Sequence, residues 1–185
     1  MLKELFTAVR LTVLTIVVCC VAYTACLWAF AQVVVPGSAN GHLIHDKSGT
    51  VIGSRQVAQK FTSDKYFHSR PSAVDYNAAG AGGSNLSPAS EAFRKNVKDR
   101  IQANGATADN PLPVDLATAS GSGLDPHISL EGARFQVARV ALARKMDPRA
   151  IGKLVDESVC YPGGFLLKEP LVNVLELNIK LDGLK

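Results

Sequence analysis

Residues 11–35 read LTVLTIVVCCVAYTACLWAFAQVVV and contain no Asp, Glu, Lys or Arg. At ~1.5 Å per residue, a helix of this length exceeds the ~30 Å hydrocarbon core of a bilayer. We therefore expect one transmembrane helix, with the rest of the chain forming a separate domain. The organisation of the whole protein follows from this apolar stretch.

Charges on the two sides of the stretch predict its orientation. Lys3 and Arg10 precede it, and the next charges after it are Asp46 and Lys47. Because basic residues beside a span tend to stay in the cytoplasm, the N-terminus is expected there and the domain on the other side. The predicted division is a cytoplasmic segment at residues 1–10, a transmembrane helix at 11–35, a linker at 36–41 and an extracytoplasmic domain at 42–185.

A cleaved secretory signal is the alternative to a permanent span. Residues 29–31 (AFA) fit the small-x-small pattern of a cleavage site. The apolar stretch is longer than the ~7–15 residues of a signal core, and it continues beyond that site as far as Val35. Its length therefore favours a membrane helix.

Composition restricts the function classes of the domain. Cys19, Cys20 and Cys26 lie in the predicted span, which leaves Cys160 as the only thiol of the domain. An internal disulfide or a cysteine-ligated zinc site is thereby excluded from the domain. The formal charge is +4, but basic residues are dispersed among acidic ones and aromatic residues are few. This pattern disfavours a nucleic acid partner.

Turn and capping residues predict the elements of the domain. Residues 43–44 and 51–52 are expected to form two short strands around a tight turn at residues 46–49. Side-chain caps, with proline at the first helical position, predict three helices. They run from Ser87 and Pro88 to about Ala103, from Asp125 and Pro126 or from Ser129, and from Asp147 and Pro148.

Two apolar patterns place the core. In the second predicted helix one face is apolar, formed by Leu130, Ala133, Val137, Val140 and Ala141. Near the C-terminus, an apolar and polar alternation predicts a strand with one buried face, formed by Leu175, Leu177, Ile179 and Leu181. Because strands and helices do not alternate regularly, we expect a compact α+β domain and not a doubly wound sheet.

Residues 118–127 read TASGSGLDPH and bring serine, aspartate and histidine into one glycine-rich loop. A nucleophile elbow requires glycine two places before and after the serine, and neither Ser120 nor Ser122 has it. A triad also needs its members to approach from separate elements. We therefore expect a glycine-shaped turn in which Asp125 caps a helix and the serines bond local amides. The alternative is a membrane-anchored extracytoplasmic serine hydrolase using Ser122 or Ser120 with His127.

Other short motifs predict no chemistry of their own. Residues 46–50 (DKSGT) resemble the phosphorylation sequence of P-type ATPases, but they fit a strand–turn–strand segment on the wrong side of the membrane. His42 and His45 would point to opposite faces of a strand, so a metal site is not expected. The sequence has no phosphate-binding loop of the GxxxxGK[ST] kind.

Five ordered polar runs resemble one family. They are residues 66–72 (YFHSRPS), 75–77 (DYN), 82–86 (GGSNL), 119–129 (ASGSGLDPHIS) and 172–178 (VNVLELN). On these runs the chain resembles the KdpC subunits of the bacterial Kdp potassium-transporting ATPase, from the membrane helix to the C-terminus. Leu130 stands where that family is expected to have proline, and Gly132 in the following helix is unusual.

The resemblance implies a non-catalytic member of a four-part pump in the bacterial inner membrane. Its partners would be a channel-like potassium-binding subunit, a P-type ATPase subunit and a small single-helix subunit, besides membrane lipid. No cofactor of its own is implied, whereas the complex uses ATP, magnesium and potassium. Members of this family are needed for assembly and activity of the pump, and roles as an extracytoplasmic cap or as a modulator of ATP affinity have been proposed.

Within the resembling runs, eight residues are candidates for partner contact or for specifying the fold. They are Tyr66, His68, Arg70, Asp75, Asn85, Ser122, Asp125 and His127. We further expect the membrane helix to pack beside the channel-like subunit, with Ala22, Ala25 and Ala29 permitting close approach. No catalytic or metal-binding residues are expected.

Overall fold

The computed structural model describes residues 2–164 and 168–184. It divides the chain into two compact units, residues 1–43 and 44–185. Three parts of the predicted segments lie outside the described residues: Met1 of the cytoplasmic segment, and residues 165–167 and Lys185 of the domain.

The first unit is dominated by one continuous helix, Leu2–Val34, of 33 residues. It consists of α1 (Leu2–Ile16), a π-helical turn (Val17–Ala22) and α2 (Tyr23–Val34). The helix is long and apolar enough to cross a membrane, and its large apolar side chains are exposed. The hydroxyls of Thr7 and Thr15 donate to carbonyls four residues earlier, which satisfies them inside the helix. The prediction of one long apolar helix is confirmed.

The helix ends where the backbone of Val35 turns to a φ of −138°. Pro36 then begins a one-turn helix, α3 (Pro36–Ala39), because proline is favoured at the first helical position. The side chain of Asn40 donates to the carbonyl of Pro36 over 2.8 Å. The predicted linker is therefore an ordered turn of helix.

The second unit is an α+β domain, as predicted. Its elements, beginning with the strand that crosses the boundary between the units, are β1 (Leu43–His45), β2 (Val51–Ser54), α4 (Glu91–Ala103), α5 (Val114–Ala117), β3 (His127–Ser129), α6 (Leu130–Arg144), α7 (Pro148–Asp156), β4 (Val159–Cys160), β5 (Leu171–Asn173) and α8 (Val174–Gly183). Strands β1 and β2 form a two-stranded sheet, and the three-stranded sheet has the order β3-β5-β4 with both pairs antiparallel.

The predicted hairpin is confirmed, and its turn is closed by Asp46. The carboxylate of Asp46 accepts hydrogen bonds from the backbone N–H of Ser48 (2.8 Å) and of Thr50 (2.9 Å). Gly49 has a φ of +84°, which glycine adopts at little cost. The hydroxyl of Ser48 and these amides lower the pKa of Asp46 below its ordinary value. The DKSGT motif is thus accounted for as a turn.

Caps locate the helices, with one correction to the predicted starts. Asp147 caps α7 through a bond from the N–H of Arg149 (2.9 Å), as predicted. Of the two alternatives for α6, Ser129 is the cap and accepts from the N–H of Gly132 (2.9 Å). The first predicted helix begins at Glu91 and not at Pro88, because Ser90 provides the cap and the preceding residues form a turn.

The core lies between α6, α7, α8 and the three-stranded sheet. Its buried members are Phe67, Leu116, Ile128, Ala133, Val140, Ala141, Ile151, Leu154, Val155, Val172, Val174, Leu177 and Leu181. The predicted apolar face of α6 is confirmed, because Ala133, Val140 and Ala141 are buried while Leu130 and Val137 pack against the cluster.

The predicted C-terminal strand is wrong, because residues 174–183 form helix α8. Its buried residues Val174, Leu177, Asn178 and Leu181 follow a helical spacing of three and four. Asn173 caps the helix by accepting from the N–H of Glu176 (3.2 Å), and the strand is limited to Leu171–Asn173. The alternation of leucines concealed this cap and the helical period.

Candidate functional site

Three of the five resembling runs meet in the structure through backbone hydrogen bonds. The N–H of Gly82 donates to the carbonyl of Ser122 over 2.8 Å, and the N–H of Ser120 donates to the carbonyl of Pro71 over 3.0 Å. We call the segments 66–77, 82–85 and 118–127 the loop cluster. Segments far apart in sequence thus form one site without regular secondary structure.

Glycines allow the segments of the loop cluster to approach at backbone distance. A Cβ at Gly83 would lie 2.9 Å from the carbonyl oxygen of Gly121. A Cβ at Gly123, where φ is +68°, would lie 2.6 Å from a methyl of Val74 and 2.8 Å from the carbonyl oxygen of Gly82. The glycine-rich sequence therefore serves close packing of loops against each other.

Two buried side-chain amides hold segment 66–77 against the helices. Asn178 of α8 accepts from the N–H of Phe67 (2.9 Å) and donates to the carbonyl of Phe67 (3.0 Å). Gln136 of α6 does the same for His68, at 2.8 and 3.1 Å. Each amide thus satisfies both backbone polar groups of one residue, as a neighbouring strand would. We call these two contacts the amide clasps.

The candidate Tyr66 is fixed by three contacts. Its hydroxyl donates to the carboxylate of Asp182 over 3.2 Å. The guanidinium of Arg144 lies 4.9 Å from the ring centroid, and the ring of Phe61 lies 5.5 Å away. These contacts give Tyr66 a role in holding the domain together.

The candidates Arg70, Asp125 and His127 are brought together. A guanidinium nitrogen of Arg70 lies 3.2 Å from one carboxylate oxygen of Asp125. The other oxygen accepts from the N–H of His127 over 3.0 Å and lies 3.8 Å from the Nδ1 of its ring. Asp125 is followed by strand β3, so the prediction that it caps a helix is wrong. It closes a turn and orients Arg70.

The serines of the loop cluster bond local amides, as predicted. The hydroxyl of Ser120 accepts from the N–H of Gly123 (2.8 Å), and that of Ser122 accepts from the N–H of Leu124 (3.1 Å). Within residues 2–164 and 168–184, neither hydroxyl is hydrogen-bonded to the ring of His127. The loop as folded does not align a nucleophile with a base.

Asp75 and Asn85 share an unusual backbone. Both have positive φ, +52° and +51°, which aspartate and asparagine tolerate better than other side chains. Asp75 forms an exposed ion pair with Lys60 at 2.6 Å. Asn85 is exposed, and its side chain makes no hydrogen bond within the described part of the chain. Asn85 is therefore the candidate with the least internal structural role.

Burial changes the protonation of His68. Its ring Nε2 lies 3.1 Å from the carbonyl oxygen of Ser63. Desolvation lowers the pKa of His68 below its ordinary value of 6.5, and the nearby Arg139 lowers it further. The imidazole is therefore more readily neutral than a free histidine. Among the described residues, no group of three or more His, Cys, Asp and Glu side chains has the arrangement of a metal site.

Three structurally decisive residues were not identified from the sequence: Gln136, Arg139 and Asn178. Arg139 donates to the carbonyl of Tyr66 (3.0 Å) and to the side-chain oxygen of Gln136 (2.8 Å). Asn178 lies in a resembling run, and polar residues on an apolar helix face were the available signal. The contacts span 68 to 111 residues, which local patterns do not report.

Comparison with known proteins gives one consistent result. Residues 5–183 match the family described as "KdpC: K+-transporting ATPase, c chain". The potassium-transporting ATPase KdpC subunit of Parvibaculum lavamentivorans is 51% identical over 181 residues, which covers 98% of this chain and 97% of that protein. Those of Gloeobacter violaceus and Rhodopseudomonas palustris are 44% and 45% identical, covering 100% and 98% of this chain and 98% of each relative.

Proposed function

Because the chain belongs to the KdpC family of K+-transporting ATPases, we propose that it is a non-catalytic subunit of an ATP-driven, high-affinity potassium uptake complex. It would assemble with and stabilise a channel-like potassium-binding subunit and a P-type ATPase subunit, beside a small single-helix subunit. The observation that carries the proposal is the match over residues 5–183, which includes both the apolar helix and the loop cluster.

The loop cluster supports a role in assembly. Its polar side chains are engaged with one another and with the backbone, as in Arg70 with Asp125 and in the amide clasps. A surface fixed in this way loses little conformational freedom on binding, and pre-organisation of this kind favours affinity. We propose that the loop cluster presents a fixed shape to a partner subunit.

The apolar helix Leu2–Val34 supports anchoring in the bacterial inner membrane, with the N-terminus cytoplasmic and the domain extracytoplasmic. Ala22, Ala25 and Ala29 would let it pack closely against the channel-like subunit, since association in lipid relies on packing. ATP, magnesium and potassium would be bound by the complex. A domain on the far side of the membrane would affect a cytoplasmic nucleotide only by coupling through its partners.

Co-purification tests the proposal. The chain, tagged and produced from its natural gene cluster, should be recovered in mild detergent with a large polytopic subunit and an ATPase. Recovery as a free monomer while the partners are present in the same membranes would contradict it. Labelling by a serine-directed probe that Ser122→Ala abolishes would instead favour the hydrolase alternative.

Asn85 offers a test of the proposed contact surface that spares the fold. Asn85→Gly removes an exposed side chain and keeps the positive φ, and Asn110→Gly is a matched control on an exposed turn outside the loop cluster. We expect the first to reduce recovery of the partner subunits and the second to leave it unchanged. Equal recovery with both would exclude Asn85 from the interface.

Orientation is tested with single cysteines in a chain whose natural cysteines are replaced by alanine. A membrane-impermeant thiol reagent should label Ser87→Cys in intact cells, where that residue is exposed. Lys3→Cys should be labelled only after the cells are opened. The reverse pattern would overturn the proposed topology.

A further inference from the structure

The domain contains a cleft of about 260 Å³ beside the loop cluster, between residues 60–76 and helix α4. Its charged lining residues are the cations Lys60 and Arg100, and none of the lining residues that the structure describes is Asp or Glu. Asn104 and Tyr76 add polar groups, while Phe61 and Leu116 form an apolar wall. The cleft therefore combines positive charge with apolar surface.

Arg100 is the unusual residue of this cleft. Its guanidinium is partly buried and donates to the carbonyl of Ala117 over 2.9 Å. Within residues 2–164 and 168–184 it forms no ion pair with a carboxylate. Desolvation is the main cause that lowers the pKa of Arg100, and proximity to Tyr76 partly offsets it. A cation removed from water without a counter-ion is unfavourable unless a ligand supplies one.

Lys60 provides a second charge that can be redirected. Its ammonium lies 2.6 Å from the carboxylate of Asp75, but the two side chains are 53% and 75% exposed. An exposed pair of this kind contributes little free energy, so an anion in the cleft can compete for Lys60. The guanidinium of Arg100 has five donors, of which one hydrogen bond to Ala117 uses one.

We infer that this cleft is a binding site for the carboxylate of an organic acid or of an acidic side chain. The planar fork of Arg100 matches the planar carboxylate, with Lys60 as the second cation. Phe61 and Leu116 would contact the carbon chain attached to it. Two cations and an apolar wall suit a monoanion with a hydrocarbon part better than they suit a phosphate dianion. This site is independent of the proposed assembly role.

The test uses the full chain in detergent micelles, labelled with ¹³C in the rings of its four tyrosines. Sodium butanoate is titrated at constant ionic strength. We expect a saturable shift of the Tyr76 signals while those of Tyr66 stay constant, and no saturable shift with sodium phosphate. Arg100→Gln should weaken butanoate binding about tenfold or more, because it removes the charged bidentate partner. Arg94→Gln, on the exposed side of the same helix, is the matched control and should bind as the wild type does.

Three results would overturn the inference: no saturable shift with butanoate, an equal shift with phosphate, or unchanged binding by an Arg100→Gln variant whose Tyr66 signals show it to be folded. Should that variant fail to fold, Lys60→Gln replaces it, with weaker binding expected and unchanged binding counting against the site. The peptides acetyl-Gly-Glu-Gly-amide and acetyl-Gly-Gln-Gly-amide then distinguish the sources. Binding of the glutamate peptide alone of the two supports an acidic side chain as the ligand, and binding of butanoate but neither peptide supports a free organic acid.

Discussion

The helical core and the loop cluster bury residues to the same degree by different means. In the core, Ile151 and Val155 lie on a helix whose backbone groups are hydrogen-bonded within the helix itself. In the loop cluster Phe67 is equally buried, but its N–H and C=O need the side chain of Asn178. Because buried backbone groups must be paired, irregular segments become dependent on particular distant side chains. The core should thus respond to volume, and the loop cluster to single polar atoms and single glycines.

The largest expected effect lies where the two regions join. Phe67→Ala would leave a cavity in the core and loosen the segment that the amide clasps hold, at a cost of about 3–5 kcal/mol in the free energy of unfolding. Urea unfolding of the full chain in detergent, followed by circular dichroism, measures it. Leu142→Ala, at a site that is 82% exposed, should change the stability little. Similar values for the two would contradict the buried position of Phe67.

The amide clasps are expected to be nearly as important. Asn178→Leu keeps the approximate volume but leaves the N–H and the C=O of Phe67 without partners, which costs about 1–3 kcal/mol for each group. The same substitution at the exposed Asn96 on α4 is the control. If both variants unfold at the same urea concentration, the loop cluster does not depend on this clasp.

The glycines of the loop cluster allow a comparison within three residues. Gly123→Ala would force a Cβ against Val74 and Gly82 at positive φ, which costs about 1–3 kcal/mol. Gly121→Ala meets no atom within 4 Å and should be close to neutral. Thermal unfolding of the two variants compares them directly. An equal loss would show that composition, and not close approach, explains the glycines.

The smallest effect is the pH dependence from His68. Its pKa is lowered in the folded state, so below 6.5 the unfolded chain binds more protons than the folded one. The free energy of unfolding should therefore fall as the pH decreases from about 7 towards the lowered pKa, where the loss is complete. Unfolding of wild type and His68→Gln across this range measures the difference between them. A variant with the slope of the wild type would assign the pH dependence to other groups.

Sequence patterns predicted the parts of the fold that are held by local interactions. The hairpin turn at Asp46, the helix cap at Asp147 and the apolar face of α6 each depend on residues within a few positions. Where local patterns compete, prediction failed. The leucines of residues 175–181 fit a strand period, but the cap at Asn173 and the burial of Asn178 select a helix.

The candidate site was predictable in membership but not in geometry. The polar runs were recognisable by resemblance, and the serines of residues 118–127 bond local amides as predicted. The partner of Asp125 was not predictable, because Arg70 is 55 residues away and the turn looked like a helix cap. The same holds for Gln136, whose periodicity on α6 gives no indication that it holds His68. Whether the eight candidates contact a partner stays a prediction.

The hydrogen bond from Gly82 to Ser122 has a further consequence for how the chain can vary in length. It brings together two points 40 residues apart, so α4 and the turns around it form an excursion that leaves the domain and returns to the same place. The entropy of closing such an excursion changes by only about 0.6 kcal/mol when its length doubles. The exposed turn at residues 105–110 is therefore where insertions, deletions or a fluorescent reporter would be accommodated without displacing the glycines on which the loops meet.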